Sequence, residues 1–407
     1  MKKITVTIAH PGTQHALKLA KELSKDGYLD KYISTLVWSD RNFLIRIIKT
    51  LVPKLYLKIS NRVLSDVPLR ELKTFPLIEL KLILNKFLKK KLPESKLYYI
   101  KNKSFQLALN DKRILESDII IGFDTSSWIL VDLAKKNGQK FILDQSTGHS
   151  IEMLHVYKQL NLQYPEWAKH ITEKENKFLE LEKFEYDNAT YIVVASTFTK
   201  QTLIKHGINE QKILLNPYGV DLTRFYCHPK EIKQKKIFLF IGNVDVRKGI
   251  PFLLECWKDA NFQHSELWIV GPVANEIKEK LEKEESVKVF GKIINAQLSE
   301  IMKQAHVFVF PSFFDGFGLV ILEAMASGLP VITTTATAGT DLIENGKEGF
   351  VITPGNHEQL IECLHFFNQN PKEIAIMGKQ ARLKAEKYTW KEYGIRWEKI
   401  INKVARN

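Results

Sequence analysis

Cysteine is scarce in this chain: Cys227, Cys256 and Cys363 are the only three in 407 residues, scattered and odd in number. That excludes a disulfide framework and implies a reducing compartment. Long apolar runs are lacking too. No stretch reaches the roughly 18 apolar residues that a membrane-spanning helix needs. The opening Met1-Lys-Lys-Ile-Thr-Val-Thr-Ile-Ala is broken by threonines too early for a secretory leader and reads as a first strand. Low-complexity tracts are absent. Neither Gly-x-Gly-x-x-Gly nor Gly-x-x-x-x-Gly-Lys-Ser/Thr occurs, which removes the dinucleotide fingerprint and the Walker loop.

What is present is a long chain, 44% hydrophobic, with enough apolar mass for two ordinary cores. Its charge is +14, and it is unevenly spread: residues 41–103 hold 16 Lys and Arg against 4 acidic residues. This segment interleaves charge with apolar residues, as in Phe43-Leu-Ile-Arg-Ile-Ile-Lys-Thr-Leu-Val and in Leu77 to Lys91. Basic amphipathic helices of this kind favour an anionic lipid surface. The alternative is a pair of core-packed helices with lysine-rich solvent faces. No nucleic-acid recognition motif accompanies the charge, so no nucleic-acid partner is expected.

Short apolar runs alternate with helical patterns along both halves. Ile4–Ile8, Ile33–Val37, Ile119 to Gly122, Phe141 to Leu143 and Tyr191 to Ala195 predict one parallel, doubly wound sheet. Ile237–Gly242, Leu267 to Gly271, Val287 to Gly291, Val307 to Phe310 and Pro330 to Thr333 predict a second, joined to the first near Asn216–Asp221. Ligands of open parallel sheets bind beyond the carboxyl ends of the strands, so the expected site is a cleft between the two domains. The expected division is 1–216 with a basic insertion at about 41–104, then 222–385. Residues 386–407 form a last helix with the spacing to cross back onto the first domain.

Two segments carry chemistry. In Pro311-Ser-Phe-Phe-Asp-Gly-Phe-Gly-Leu-Val-Ile-Leu-Glu-Ala-Met-Ala, an apolar strand feeds a glycine-bearing turn and then a helix, a junction suited to phosphate. Asp315 falls in the turn and Glu323 about two helical turns on, so both carboxylates can face one ligand. In Gly242-Asn-Val-Asp-Val-Arg-Lys-Gly249, Arg247 and Lys248 precede another helix, where cations suit a diphosphate. Asp315 also reads as a helix cap, Glu323 as a solvated helix position, and the Arg-Lys pair as a solvated turn.

Taken together, these motifs, with Gly346-x-x-Gly-Phe-Val-Ile-Thr-Pro-Gly355, resemble the retaining glycosyltransferases of family 4 (group 1), which have the GT-B fold: two Rossmann-like domains facing across a cleft. The resemblance is strongest over residues 236–355, with support from Asn188–Ser196 and Pro217–Phe225. It implies that Lys248 contacts the donor diphosphate, Glu323 the ribose hydroxyls and Asp315 the transferred sugar. It also implies that the Gly316, Phe317, Gly318, Leu319 and Val320 amides approach sugar and phosphate, with Gly242 in the same donor pocket. Two positions depart from the family: Asn243 stands where Arg is usual, leaving Arg247 as a second cation, and Asp315 stands where Glu is usual.

His149, in Asp144-Gln-Ser-Thr-Gly-His, resembles a family position and is a candidate to touch the donor sugar or handle the acceptor proton. Gly12 and Thr13 match the family's first loop and are candidate donor or acceptor contacts. His10 and His15 beside them have no third ligand nearby in sequence and read as incidental. Asp-x-Asp is absent, so the metal-binding carboxylate pair of the other major glycosyltransferase fold is missing, and no metal or cofactor is expected. The expected activity is transfer of a sugar, with retention, from a nucleotide diphosphate sugar to a glycan or lipid-linked acceptor at the cytoplasmic face of a membrane. The alternatives are a GT-B nucleotide-sugar epimerase and an inactive glycan- or membrane-binding relative.

Overall fold

The computed structural model describes residues 3–12, 15–40, 42–53, 56, 60–64, 66–87, 93–109, 116–167, 176–227 and 235–406. Two parallel sheets organise them. The first uses β1 (Val6–Ala9), β2 (Leu29–Ser34), β3 (Leu72–Thr74), β4 (Ile119–Phe123), β5 (Lys140–Gln145), β6 (Tyr191–Val194) and β7 (Ile213–Leu215), in the order β3-β2-β1-β4-β5-β6-β7. The second uses β8 (Lys236–Ile241), β9 (Ser265–Val270), β10 (Val287–Gly291), β11 (Val307–Phe310), β12 (Val331–Thr334) and β13 (Gly349–Ile352), in the order β10-β9-β8-β11-β12-β13.

Every residue of β1, β4, β9, β11 and β12 is buried. Their apolar runs do not alternate because helices cover both faces, as parallel sheets require. The strand expected at Ile33–Val37 instead runs Leu29–Ser34. Helix α1 (Ala16–Lys25) ends at Gly27, whose φ of 69° suits glycine, and Tyr28 N–H closes back on Leu23 O at 2.9 Å, so the chain enters β2 at once. The edge strand β3 has no apolar run; its three residues, Leu72, Lys73 and Thr74, pair with β2.

The basic segment is therefore more than two helices, since it also supplies that edge strand. Its described helices are α2 (Phe43–Leu51), α3 (Pro76–Phe87) and α4 (Glu94–Ala108). The stretch from 88 to 92, which the sequence pattern continues as helix, lies outside the described residues. These helices turn large apolar side chains outward: Phe43 and Leu77 are 73% and 69% exposed, and Leu51, Leu80 and Leu107 are exposed too.

Two crossings tie the halves together. Gly219 lies so close to the Thr389–Trp390 backbone that a Cβ there would sit 2.4 Å from Trp390 N, and Val220 N–H bonds Tyr388 O at 2.8 Å. Arg396 then holds Asn216 Oδ1 at 2.8 Å and Pro217 O at 2.7 Å. The last helix, Trp390–Arg406, lies against α1, with Gly394 packed on Glu22 and Asn402 bonded to Tyr28 Oη at 3.2 Å. Its Trp397 is fully buried. Trp397→Ala should cost about 3–5 kcal/mol, measured by urea unfolding; a loss under 1 kcal/mol would mean the helix is not anchored as described.

Candidate functional site

The loop after β8 and the loop after β11 are zipped together. Phe313 N–H donates to Arg247 O at 2.8 Å, and the Arg247 guanidinium donates to Phe314 O at 2.7 Å. Gly249, at φ 78°, opens the helix Ile250–Ala260; a Cβ there would lie 2.2 Å from Pro311 O, so the loops approach this closely only over a glycine. Asp245 accepts from Lys248 N–H at 2.8 Å, which fixes the start of the Lys248 side chain. Its ammonium forms an ion pair with Asp315 Oδ2, the two side chains being 12% and 16% exposed. Asp315 Oδ1 accepts from Phe317 N–H at 3.4 Å, and its own N–H donates to Ala336 O at 2.9 Å.

Burial alone would raise the Asp315 carboxyl, but the nearby Lys248 and then Arg247 charges outweigh it and hold the group below the usual aspartate range. Burial lowers the Lys248 ammonium, and Asp315 opposes that shift. Gly318, at φ 75°, caps the helix Leu319–Ala326. The amides of a helix's first turn have no partner within it, and Gly318, Leu319 and Val320 line the cleft there. Glu323, one turn further, lines the same wall. Burial pushes its pKa up to about 7, with Arg224 only partly opposing.

The cleft holds about 490 Å³, and Gly242, Asn243, Arg247, Lys248, Asp315, Phe317, Gly318, Leu319, Val320 and Glu323 all line it. Gly316 instead joins the two halves. A Cβ there would lie 2.0 Å from Ser146 O, its carbonyl accepts from Ser196 Oγ and from Thr199 Oγ1 at 3.0 Å, and Thr197 N–H reaches Asp341 at 2.9 Å close by. Ser146 lines the cleft from the first half.

The first half contributes differently from the expectation. His149 is not among the residues lining the cleft. Its ring caps the helix Ser150–Gln163, with Nδ1 accepting from Ile151 N–H at 3.2 Å, and stacks on His206 at 4.4 Å. Gly12 is likewise not among the lining residues; its carbonyl accepts from Ser34 Oγ at 3.2 Å. Thr13 lies outside the described residues. Beside Ser146, His15, read as incidental, reaches the cleft, with Nε2 2.9 Å from Asp144 Oδ2, both buried, and its ring 4.4 Å from that of Tyr218. His10 turns inward, its Nδ1 accepting from Gly12 N–H at 3.0 Å, and burial lowers its pKa to about 4. Sequence signals for the missed pair existed: Asp144 opens the His149 motif, and Tyr218 lies in the segment 217–225. Nothing in their spacing links them to residue 15. Among the described residues, no three His, Cys, Asp or Glu side chains group as metal ligands.

Two parallel, doubly wound sheets with a cleft at their strand ends constitute the GT-B fold. Residues 235–370 match the family of glycosyl transferases group 1, so the chain carries a domain of that family. The sulfoquinovosyl transferase SQD2 of Arabidopsis thaliana is 31% identical over 39% of this chain and 31% of its own length. This chain spans less than two thirds of the curated relatives it matches. Sucrose-phosphate synthase from Thermosynechococcus elongatus superposes with a TM-score of 0.69 at 17% identity, covering 98% of this chain and 99% of that one. Anabaena HepE in complex with UDP-glucose gives 0.65 at 14% identity, covering 98% and 100%.

A carboxyl that titrates near 7 in the folded chain and near 4.5 when unfolded contributes fully to stability below about 4.5. That contribution is lost as pH rises through about 7. Glu323→Gln should therefore be more stable than the native chain at pH 8, by up to about 3 kcal/mol, and not at pH 4. Equal gains at both pH values in thermal unfolding would contradict a part-buried, protonatable Glu323.

Proposed function

We propose that this protein is a glycosyltransferase that moves a sugar, with retention of configuration, from a nucleotide diphosphate sugar to a glycan or lipid-linked acceptor. The observation that carries this reading is the meeting of Lys248, Arg247 and the first turn of the helix Leu319–Ala326 in one cleft with two carboxylates. Cations and helix-opening amides stabilise the charge that develops on a departing diphosphate. Glu323 accepts from the ribose hydroxyls and Asp315 from those of the sugar, while the first half presents the acceptor. HepE, the same fold with UDP-glucose bound, supports a nucleotide sugar as donor. Catalysis then rests on positioning and leaving-group stabilisation, with Lys248 and Arg247 neutralising the diphosphate without a metal ion. Lys248→Ala should lower transfer by about 10²–10³-fold while leaving the thermal unfolding profile that of a folded protein. A thermal-shift panel of nucleotide sugars supplies the donor for the assay. Full activity in the variant would overturn the assignment.

In the same reading, α2, α3 and α4 dock the first half on an anionic membrane. Their exposed Phe43, Leu77 and Leu80 lie among exposed Arg46, Lys49, Arg70, Lys73 and Lys81, a composition that combines apolar insertion with attraction to anionic headgroups. No helix among the described residues is long and apolar enough to cross a membrane. Co-sedimentation with vesicles should require anionic lipid and weaken as salt shortens the screening length from about 10 Å at 0.1 M to about 3 Å at 1 M. Binding indifferent to both would remove this reading.

A further inference from the structure

The cation assigned to the diphosphate is already occupied. Lys248 pairs with Asp315 inside the cleft, and both side chains are largely buried. A diphosphate approaching Lys248 therefore competes with a carboxylate of this same chain. If Lys248 turns to the phosphate, Asp315 keeps one backbone donor, Phe317 N–H at 3.4 Å, and the charge of Arg247, whose Nη1 donates to Phe314 O. A buried carboxylate stripped of its ion-pair partner is costly unless new donors replace it. Sugar hydroxyls are such donors, and hydrogen bonds to an ionised carboxylate are among the stronger ones. A nucleoside diphosphate that has lost its sugar brings none.

We infer that the Lys248–Asp315 pair is a selectivity device: it lets the cleft hold a sugar-bearing nucleotide while disfavouring the bare nucleoside diphosphate left after transfer. The inference rests on the donor-pocket reading above and adds a direction to it. Asp315 acts on the bound sugar and, through Lys248, on release of the product. Product release limits turnover in many enzymes, and a carboxylate that reclaims the lysine hastens that step. Asp245, whose Oδ1 holds the Lys248 backbone, acts on the ammonium more weakly than Asp315 does.

Asp315→Asn keeps the shape and the acceptor for Phe317 N–H but removes the charge. Calorimetric titration of the native chain, Asp315→Asn and Lys248→Ala with UDP, ADP and GDP, and with UDP-glucose, ADP-glucose and GDP-mannose, separates the possibilities. The native chain should bind a nucleotide sugar more tightly than the matching diphosphate. In Asp315→Asn the diphosphate should bind at least about tenfold tighter, because a like charge has left the pocket, while the nucleotide sugar gains less, so that the preference shrinks. Lys248→Ala should lose both. If the native chain binds a diphosphate and Asp315→Asn binds it no tighter, or if the nucleotide sugar tightens equally, the device is overturned while the donor pocket stands. If none of the six nucleotides binds the native chain, the donor-pocket reading falls and this inference with it.

Discussion

The arrangement of the cleft depends on a close approach that leaves no room for a side chain. Gly316 meets the Ser146 carbonyl where a Cβ would be 2.0 Å from the oxygen, and the Gly316 carbonyl accepts hydroxyl hydrogen bonds from Ser196 and Thr199 of the first half. Each neighbour of this glycine has a role on one side or the other. Asp315 precedes it and pairs with Lys248; Phe317 follows it and packs by Tyr218 at 5.0 Å between ring centres. The contact that joins the halves thus also sets the floor of the site. Gly249 does the same between the two loops of the second half, where its bare α-carbon lies against the Pro311 carbonyl.

Around that floor, burial acts oppositely on two carboxylates. Asp315 is part-buried beside two cations and is held below its usual range, whereas Glu323 is part-buried with weaker compensation and rises to about 7. The same residue class therefore serves as a standing negative charge at one end of the cleft and as a protonatable acceptor at the other. In the proposed reaction this contrast suits the sugar end, where a charge can be exchanged between lysine and hydroxyls, and the nucleotide end, where hydroxyl acceptance depends on pH.

The second half was largely legible from its residues because its motifs are local. Gly242 to Gly249 and Pro311 to Glu323 each follow directly from one strand, so spacing along the chain translates into spacing in the cleft. The first half was less legible. His149 has the look of a site residue, yet the helix it begins uses its ring nitrogen as a cap. His15, which lines the cleft, sits beside the Gly12–Thr13 loop and is oriented by Asp144, 129 positions away, which no spacing along the chain reveals. The edge strand Leu72–Thr74 was hidden in the basic segment, since three residues among charges leave no alternation to read.

The sequence by itself determined most strands of the two parallel sheets, because buried strands covered on both faces carry short continuous apolar runs bounded by turns. It also determined which loops carry cations and carboxylates at strand ends. Only the tertiary structure decided which of those charges meet. Lys248 and Asp315 are 67 positions apart, and pairing them takes three crossover connections and, at Gly249, a glycine that admits backbone against backbone. The partner of a charge is set by where the folded chain brings oppositely charged groups within a few ångströms of each other and away from water, and spacing along the chain does not encode that distance.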